Sequence, residues 1–430
     1  MNRIQIVCAA VFLCGFTQTE LPQGQPARET PAGRELQWWQ DLQCLTAGLK
    51  APGYRIAGGV ATRGQKDFST VYPNFDAELD ALRNDLANLP DSEVLLRLMR
   101  LIASAHIAHN RIQLPAGMGF QSRLALSFHW YADGLAVAAA ASEDSNVLGA
   151  RVLTVGGKTP DQFLKDLTPY VSYENQTELR ASAAGLMNVQ AVLQHFQMIG
   201  SDGRVSLRLE KPGGGATSTL SVTLTESRAK QTGLAEVSNV PTPLYASQPH
   251  TFYWHKYLPD SQTLYIQYNL CENDRKRPFG DFAHSVLADA DANTVRRVVI
   301  DLRANGGGDS RVIGPLKSGL ATRLKSVGNV YVLIGPATFS SAVLNAVELR
   351  KALKATLVGE PSGGMPGGYG EVAQLTLPNS KLVIRYTTRY FGSKNNADPT
   401  TLTPDIAAPL KIADVLAGTD PALDAAIRAR

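Results

Sequence analysis

Between residues 264 and 359 the chain alternates short apolar runs with helical stretches, and this alternation narrows the possible folds more than any other feature. Leu264–Tyr268, Val298–Leu302, Val330–Ile334 and Thr356–Gly359 read as strands. Phe279–Asp291, Leu316–Leu324 and Ala342–Leu353 read as the helices between and after them. Strand and helix taken in turn suggest an α/β core. Two late strands, Val372–Leu377 and Lys381–Tyr386, are assigned to the same core.

The third strand runs into its helix through Gly335-Pro336-Ala337-Thr338-Phe339-Ser340-Ser341-Ala342. A serine at such a turn stands at a helix N-terminus. There the unbonded N–H groups and the helix dipole favour developing negative charge. That suits a nucleophile, whose alkoxide and later oxyanion both need donors. It suits equally a serine that only caps the helix with its hydroxyl. The second strand ends in Asp301-Leu302-Arg303-Ala304-Asn305-Gly306-Gly307-Gly308. Three glycines let the backbone approach a neighbour closely and turn N–H groups toward an anion. They form either half an oxyanion hole or simply a sharp turn.

Two polar segments carry the remaining chemistry. Ala105 to Ile112 contains His106 and His109, and an imidazole is the usual base for a serine. Asp398-Pro399-Thr400-Thr401-Leu402-Thr403-Pro404-Asp405 offers two aspartates able to orient a histidine, although Asp and Pro are also ordinary turn formers.

The rest of the chain frames this core. A length of 430 residues points to two or three domains. Met1-Asn2-Arg3 followed by apolar Ile4 to Phe16 fits a secretory signal peptide, taken as residues 1–20. The run is too short to span a bilayer comfortably, so no stable membrane span remains after processing. A Pro/Gly/Thr-rich linker, Leu21 to Gly33, leads to a helical N-terminal region over 28–118, whose strongest amphipathic run is Leu95–Ile102. Short β segments with a helical insert from Pro160 to Met198 fill 122–228, and the core spans 249–415. A net charge of only +4 implies neither a nucleic-acid nor a membrane-surface partner. Beyond the leader, Cys44 and Cys271 are compatible with one disulfide or with two buried thiols.

Taken together, three motifs resemble a serine peptidase of the C-terminal-processing-protease and tricorn-core family. Asp301-Leu302-Arg303-Ala304-Asn305-Gly306-Gly307 is similar to that family's Asp-Leu-Arg-x-Asn-x-Gly-Gly. Thr338-Phe339-Ser340-Ser341-Ala342 is similar to its Thr-Phe-Ser-Ala-Ala, whose serine is the nucleophile. Leu357-Val358-Gly359-Glu360-Pro361 is similar to the family's next strand, and its 19-residue distance from Ser340 favours Ser340 over Ser341. The resemblance covers about Leu264 to Pro409 well and the N-terminal half loosely. One branch of the family takes its base from a lysine after that strand. Ser362-Gly363-Gly364-Met365-Pro366-Gly367-Gly368 contains none. The tricorn-like branch uses a histidine after an amphipathic helix and an acid six residues before a Pro-Asp ending. His109 and Asp398 stand at those positions, with His106 the rival base.

The resemblance implies a crotonase-like α/β core, a helical N-terminal region and a PDZ-like β module carrying Leu148–Pro160. It implies an exported serine endopeptidase acting on proteins or peptides without metal or organic cofactor. Ser340 is the expected nucleophile, His109 the base and Asp398 the acid, with the oxyanion held by Ser341 and by Gly306 or Gly307. An unperturbed imidazole base would lose activity as pH drops through about 6–7. Ala108 stands where the family usually has glycine, and Asp398 where it has glutamate. Those departures leave open an inactive binder of peptides or apolar ligands, and the superfold also hosts acyl-transfer and hydratase chemistry.

Overall fold

The structure is a computed structural model, and it describes residues 5–6, 33–50, 68–212, 214–225, 231–234, 240–391 and 400–429. The chain forms two compact units. One holds 1–120, 169–173 and 368–396; the other holds 121–168, 174–367 and 397–430. No helix among the described residues is long and apolar enough to cross a membrane.

In the first unit, helices Gly33–Lys50, Phe75–Asp85 and Asp91–Ala103 bury apolar faces that include Leu42, Leu45, Leu79, Leu95 and Leu98. A four-stranded sheet accompanies them, in the order 5–6, 368–376, 383–391, 111–113. Strands Gly368–Thr376 and Val383–Phe391 pair antiparallel, and Arg111–Gln113 adds antiparallel to the second. These are the two late strands that the sequence order assigned to the α/β core, and they belong here instead. Their apolar residues Leu375 and Ile384 are buried, and Leu375 packs against Gly48 of the first helix. That partnership is non-local and leaves no trace in strand order. Of the apolar leader only residues 5–6 are described, lying parallel to Gln374–Leu375.

The second unit holds two sheets. One is antiparallel, in the order Arg123–Leu124, Thr217–Thr225, Arg204–Glu210, Arg151–Val155, Gly134–Ala141, Leu126–Tyr131. Helices Pro160–Leu167, Gln176–Ala184 and Gln190–His195 lie in the insert expected from Pro160 to Met198; the first opens on a Thr159–Gln162 capping box.

The other sheet runs Tyr253–Leu258, Thr263–Tyr268, Arg297–Asp301, Asn329–Ile334, Thr356–Gly359, Ile406–Ala407, parallel after its first antiparallel pair. Alternate residues of each strand enter different cores. Val298, Ile300, Val330 and Val332 pack with helices Phe279–Ala292, Gly314–Ala321 and Ser341–Leu353. Val299, Tyr331, Leu333 and Val358 pack with Ala422, Leu423 and Ala426 of helix Pro421–Arg428. Burial on both faces is why these strands read as unbroken apolar runs. Cys44 and Cys271 are buried thiols rather than the halves of a disulfide.

A buried ion triad ties the sheet's edge to the last helix. Arg303 donates to Asp301 (Nη2 to Oδ2, 2.6 Å) and in bidentate fashion to Asp420 (2.8 Å on each arm), while stacking 4.8 Å from the Tyr245 ring. Asp420 also caps helix Pro421–Arg428 by accepting from Leu423 N. Removing one partner strands a buried charge, which costs about 3–5 kcal/mol. Asp420→Ala should lower unfolding stability by that order in urea titration, whereas exposed Asp424→Ala should leave it nearly unchanged.

Candidate active site

In the parallel sheet Asp301 pairs with Leu333, so the turns after these two strands leave the same sheet edge as neighbours. Strand carboxyl ends are where open α/β sheets gather reactive groups. The first turn is 302–308, and the second is 335–341. Hydrogen bonds from side chains and backbone lace them together. Thr338 Oγ1 accepts from Gly335 N (3.0 Å) and donates to Leu302 O (2.9 Å). Phe339 N donates to Asn305 O (3.0 Å), and Ser341 Oγ donates to Gly308 O (2.6 Å).

Ser340 sits at the head of helix Ser341–Leu353 with φ 52° and ψ −125°, a backbone region that L-residues rarely occupy. Its hydroxyl does not cap the helix. The simple capping reading therefore fails, and the turn holds a strained serine with no capping duty. Such strain persists only where the surroundings enforce it, and it gathers at functional sites. Two glycines make room for it here. A Cβ on Gly307, whose φ is +106°, would come within 2.8 Å of Ser340 Cβ and 3.0 Å of Ser341 N. One on Gly364 would come within 2.9 Å of Ser340 N.

Gly307 N–H is donated to Asn305 Oδ1 (2.9 Å). Asn305 Nδ2 donates in turn to Tyr268 O (2.8 Å), so this buried amide sets the curl of the turn. Gly306 is exposed with open space where a Cβ would stand. Ser341 N–H belongs to the first helical turn, whose donors have no acceptor within the helix.

The loop carrying Gly364 is clamped from two sides. Ser362 Oγ donates to Gly364 O (2.7 Å) and accepts from Leu402 N (2.9 Å), while Thr401 Oγ1 donates to Ser362 O (2.8 Å). Asn175, the N-cap of helix Gln176–Ala184, donates to both Gly363 O and Thr400 O at 2.9 Å. Thr400 to Leu402 come soon after Asp398 in the chain. Asp398 itself lies outside the described residues.

His109 belongs to the first unit, as does His106. Next to His109, Asn110 is buried; its Oδ1 accepts from Thr387 N (2.9 Å) and its Nδ2 donates to Tyr72 Oη (3.1 Å). Those bonds fix the chain between the amphipathic helix and strand Arg111–Gln113. Burial, with the charges of Arg111 and Arg385, holds the His109 imidazole well below its ordinary value, at about 4. His106 is exposed, with a positive φ, and its ring meets Tyr173 edge-on at 6.0 Å.

Ser340, Ser341, Gly306 and Gly307 are thus gathered at one sheet edge. The parts played by Asn305, Asn175 and Ser362 were not legible in the sequence. Only Asn305 left a signal there, as the one amide inside the Asp-Leu-Arg-x-Asn motif.

No family model and no curated protein sequence matches this chain. Among solved structures, mature CPAF in complex with lactacystin aligns at 14% identity and a TM-score of 0.60, covering 90% of this chain and 96% of that one. A second structure of mature CPAF gives the same identity and score over 90% and 95%. The chain is folded like CPAF. The likeness extends well beyond the stretch from Leu264 to Pro409 in which the sequence motifs lie. Tricorn protease aligns at 13% identity with a TM-score of 0.42.

Proposed function

We propose that this chain is an exported serine endopeptidase of the C-terminal-processing-protease and tricorn-core family, with Ser340, His109 and Asp398 as its triad. The observation that carries the reading is Ser340 itself. It is held at φ 52° on a helix N-terminus, relieved of capping, beside Gly307 and Gly364, where any side chain would collide with it. The CPAF-like fold and the three motifs add their support.

Ser340 Oγ attacks the scissile carbonyl carbon while His109 takes the hydroxyl proton. The oxyanion is held by the N–H of Ser341 and one from the glycine turn. Gly306 is the better candidate there, because the Gly307 N–H already serves Asn305. His109 returns the proton to the departing amine, then activates water to hydrolyse the acyl-enzyme. Asp398 holds the imidazole in the working tautomer. The antiparallel sheet with helix Pro160–Leu167 supports a PDZ-like module that takes a peptide strand or end. The parallel sheet packed by helices supports the crotonase-like core.

Labelling with a fluorophosphonate tests the nucleophile, because only an activated serine reacts. A single adduct on Ser340 in folded protein, absent after denaturation, is expected. A folded protein that stays unlabelled would make the chain a binder of peptides or apolar ligands.

The base also predicts a pH profile. Histidine acts here as neutral imidazole, so activity falls as pH drops through its pKa. With His109 held at about 4, the acid limb of kcat/KM should lie near pH 4, not at the 6–7 expected of an unperturbed imidazole. Full activity in His109→Ala would remove the residue from the mechanism.

A further inference from the structure

Three stretches of chain meet at Asn305, all within the second unit. Asn305 is fully buried. Its Oδ1 accepts from Gly307 N (2.9 Å), two residues on, in the pattern of an Asx turn. Its Nδ2 donates to Tyr268 O (2.8 Å) at the end of strand Thr263–Tyr268, whose neighbour Arg297–Asp301 leads into the glycine turn. Its main-chain oxygen accepts from Phe339 N (3.0 Å), the residue before Ser340. The amide reaches further through a thiol. Cys271 Sγ lies 3.4 Å from Asn305 Oδ1 and 3.3 Å from Asn345 Oδ1. Burial pushes that thiol up to about 11, so it stays a neutral donor. Asn345 is itself buried in helix Ser341–Leu353, where its Nδ2 donates to Ser310 O (2.8 Å). Amide, thiol and amide thus join the glycine turn to the helix that presents the Ser341 N–H.

We infer that Asn305 is a positioning residue of the oxyanion hole, holding the glycine turn and the serine turn in the geometry that the tetrahedral intermediate needs. This role rests on the proposed peptidase, with Ser340 as its nucleophile. Three consecutive glycines, Gly306 to Gly308, have so much backbone freedom that their N–H groups hold no direction by themselves. An oxyanion donor is effective only when it is already aimed, so that nothing has to reorganise at the moment of reaction. By binding the Gly307 N–H, Asn305 fixes the peptide plane that joins Gly306 to Gly307. Through Phe339 it fixes the step into Ser340. Both restraints act where the oxyanion forms, so losing them weakens the transition state more than the bound substrate.

The test compares two ligands built on one peptide that the parent protein cleaves: its aldehyde and its alcohol. Ser340 Oγ adds to the aldehyde carbon, its proton passes to the base, and the carbonyl oxygen becomes the tetrahedral oxyanion. The alcohol binds without forming one. In Asn305→Ala the preference for aldehyde over alcohol should fall about 10²-fold and kcat with it, while KM and alcohol affinity stay within a few-fold. Asn305→Ser, whose hydroxyl can still accept from the Gly307 N–H, should recover part of the loss. Both are measured on protein shown to be folded by its urea transition. A variant that keeps the parent preference, or loses aldehyde and alcohol affinity together, makes Asn305 a structural residue; the positioning role is then overturned and the peptidase stands. Failure of both variants to fold overturns the role in the same way. A parent protein that cleaves no peptide and takes no fluorophosphonate label overturns the peptidase, and this role with it.

Discussion

Replacing Ser340 by alanine is expected to lower peptide hydrolysis by roughly 10⁶-fold, the loss seen when a triad serine is removed. Stability should stay within about 1 kcal/mol of the parent, because the lost hydroxyl caps nothing. Alanine keeps the Cβ, so the strain at φ 52° is unchanged. A serine present only as a helix cap would behave in the opposite way, costing about 1 kcal/mol and no activity. Ser341→Ala provides the contrast. It removes the 2.6 Å bond to Gly308 O, and a loss of about 1 kcal/mol is expected. The nucleophile remains. Steady-state kinetics beside urea denaturation separates the two. Should Ser341→Ala abolish turnover while Ser340→Ala retains it, the assignment is wrong by one residue.

The parallel strands were readable because both of their faces are buried, which leaves an apolar run that needs no tertiary information. Thr356–Gly359 came out to the residue for that reason. The edge strand Tyr253–Leu258 was missed: its Tyr-Trp-His-Lys-Tyr-Leu follows two buried aromatics with a half-buried His255 and one exposed Lys256, so neither period dominates. The late strands were seen as strands but given to the wrong sheet, since their partners Arg111–Gln113 lie more than 250 residues away in sequence. The site divides along the same line. Local motifs pointed to the two turns at the sheet edge. They could not tell a capping serine from a strained one, because that difference lies in φ. Nor could they expose the Asn175 clamp, whose bonds to Gly363 and Thr400 span 188 and 225 residues. The Asp-Leu-Arg stretch was legible as a motif, yet the work of Arg303 emerged only with Asp420 in view.

Asp398→Asn is expected to cost turnover roughly 10⁴-fold, because an amide in place of the carboxylate favours the wrong imidazole tautomer and leaves the imidazolium of the transition state unsupported. Support for this residue comes from its neighbours on the C-terminal side. Thr400, Thr401 and Leu402 are bonded to Asn175 and Ser362, and the loop they pin presses Gly364 against Ser340 N. Asp398→Glu should be far milder, since the family that the motifs resemble carries glutamate there. Asp405, further along the same segment, has a different task. Its Oδ2 accepts from Leu357 N at 2.9 Å, its other oxygen pairs with Arg350, and its own N–H donates to Leu357 O. Those bonds seat Ile406–Ala407 on the sheet beside Val358–Gly359. Asp405→Asn should therefore cost about 1 kcal/mol of stability, the pair being partly exposed, and leave turnover within a few-fold. Measuring kcat and the urea midpoint for both variants distinguishes the roles. Near-normal turnover in Asp398→Asn together with its loss in Asp405→Asn would move the orienting acid seven residues along the chain.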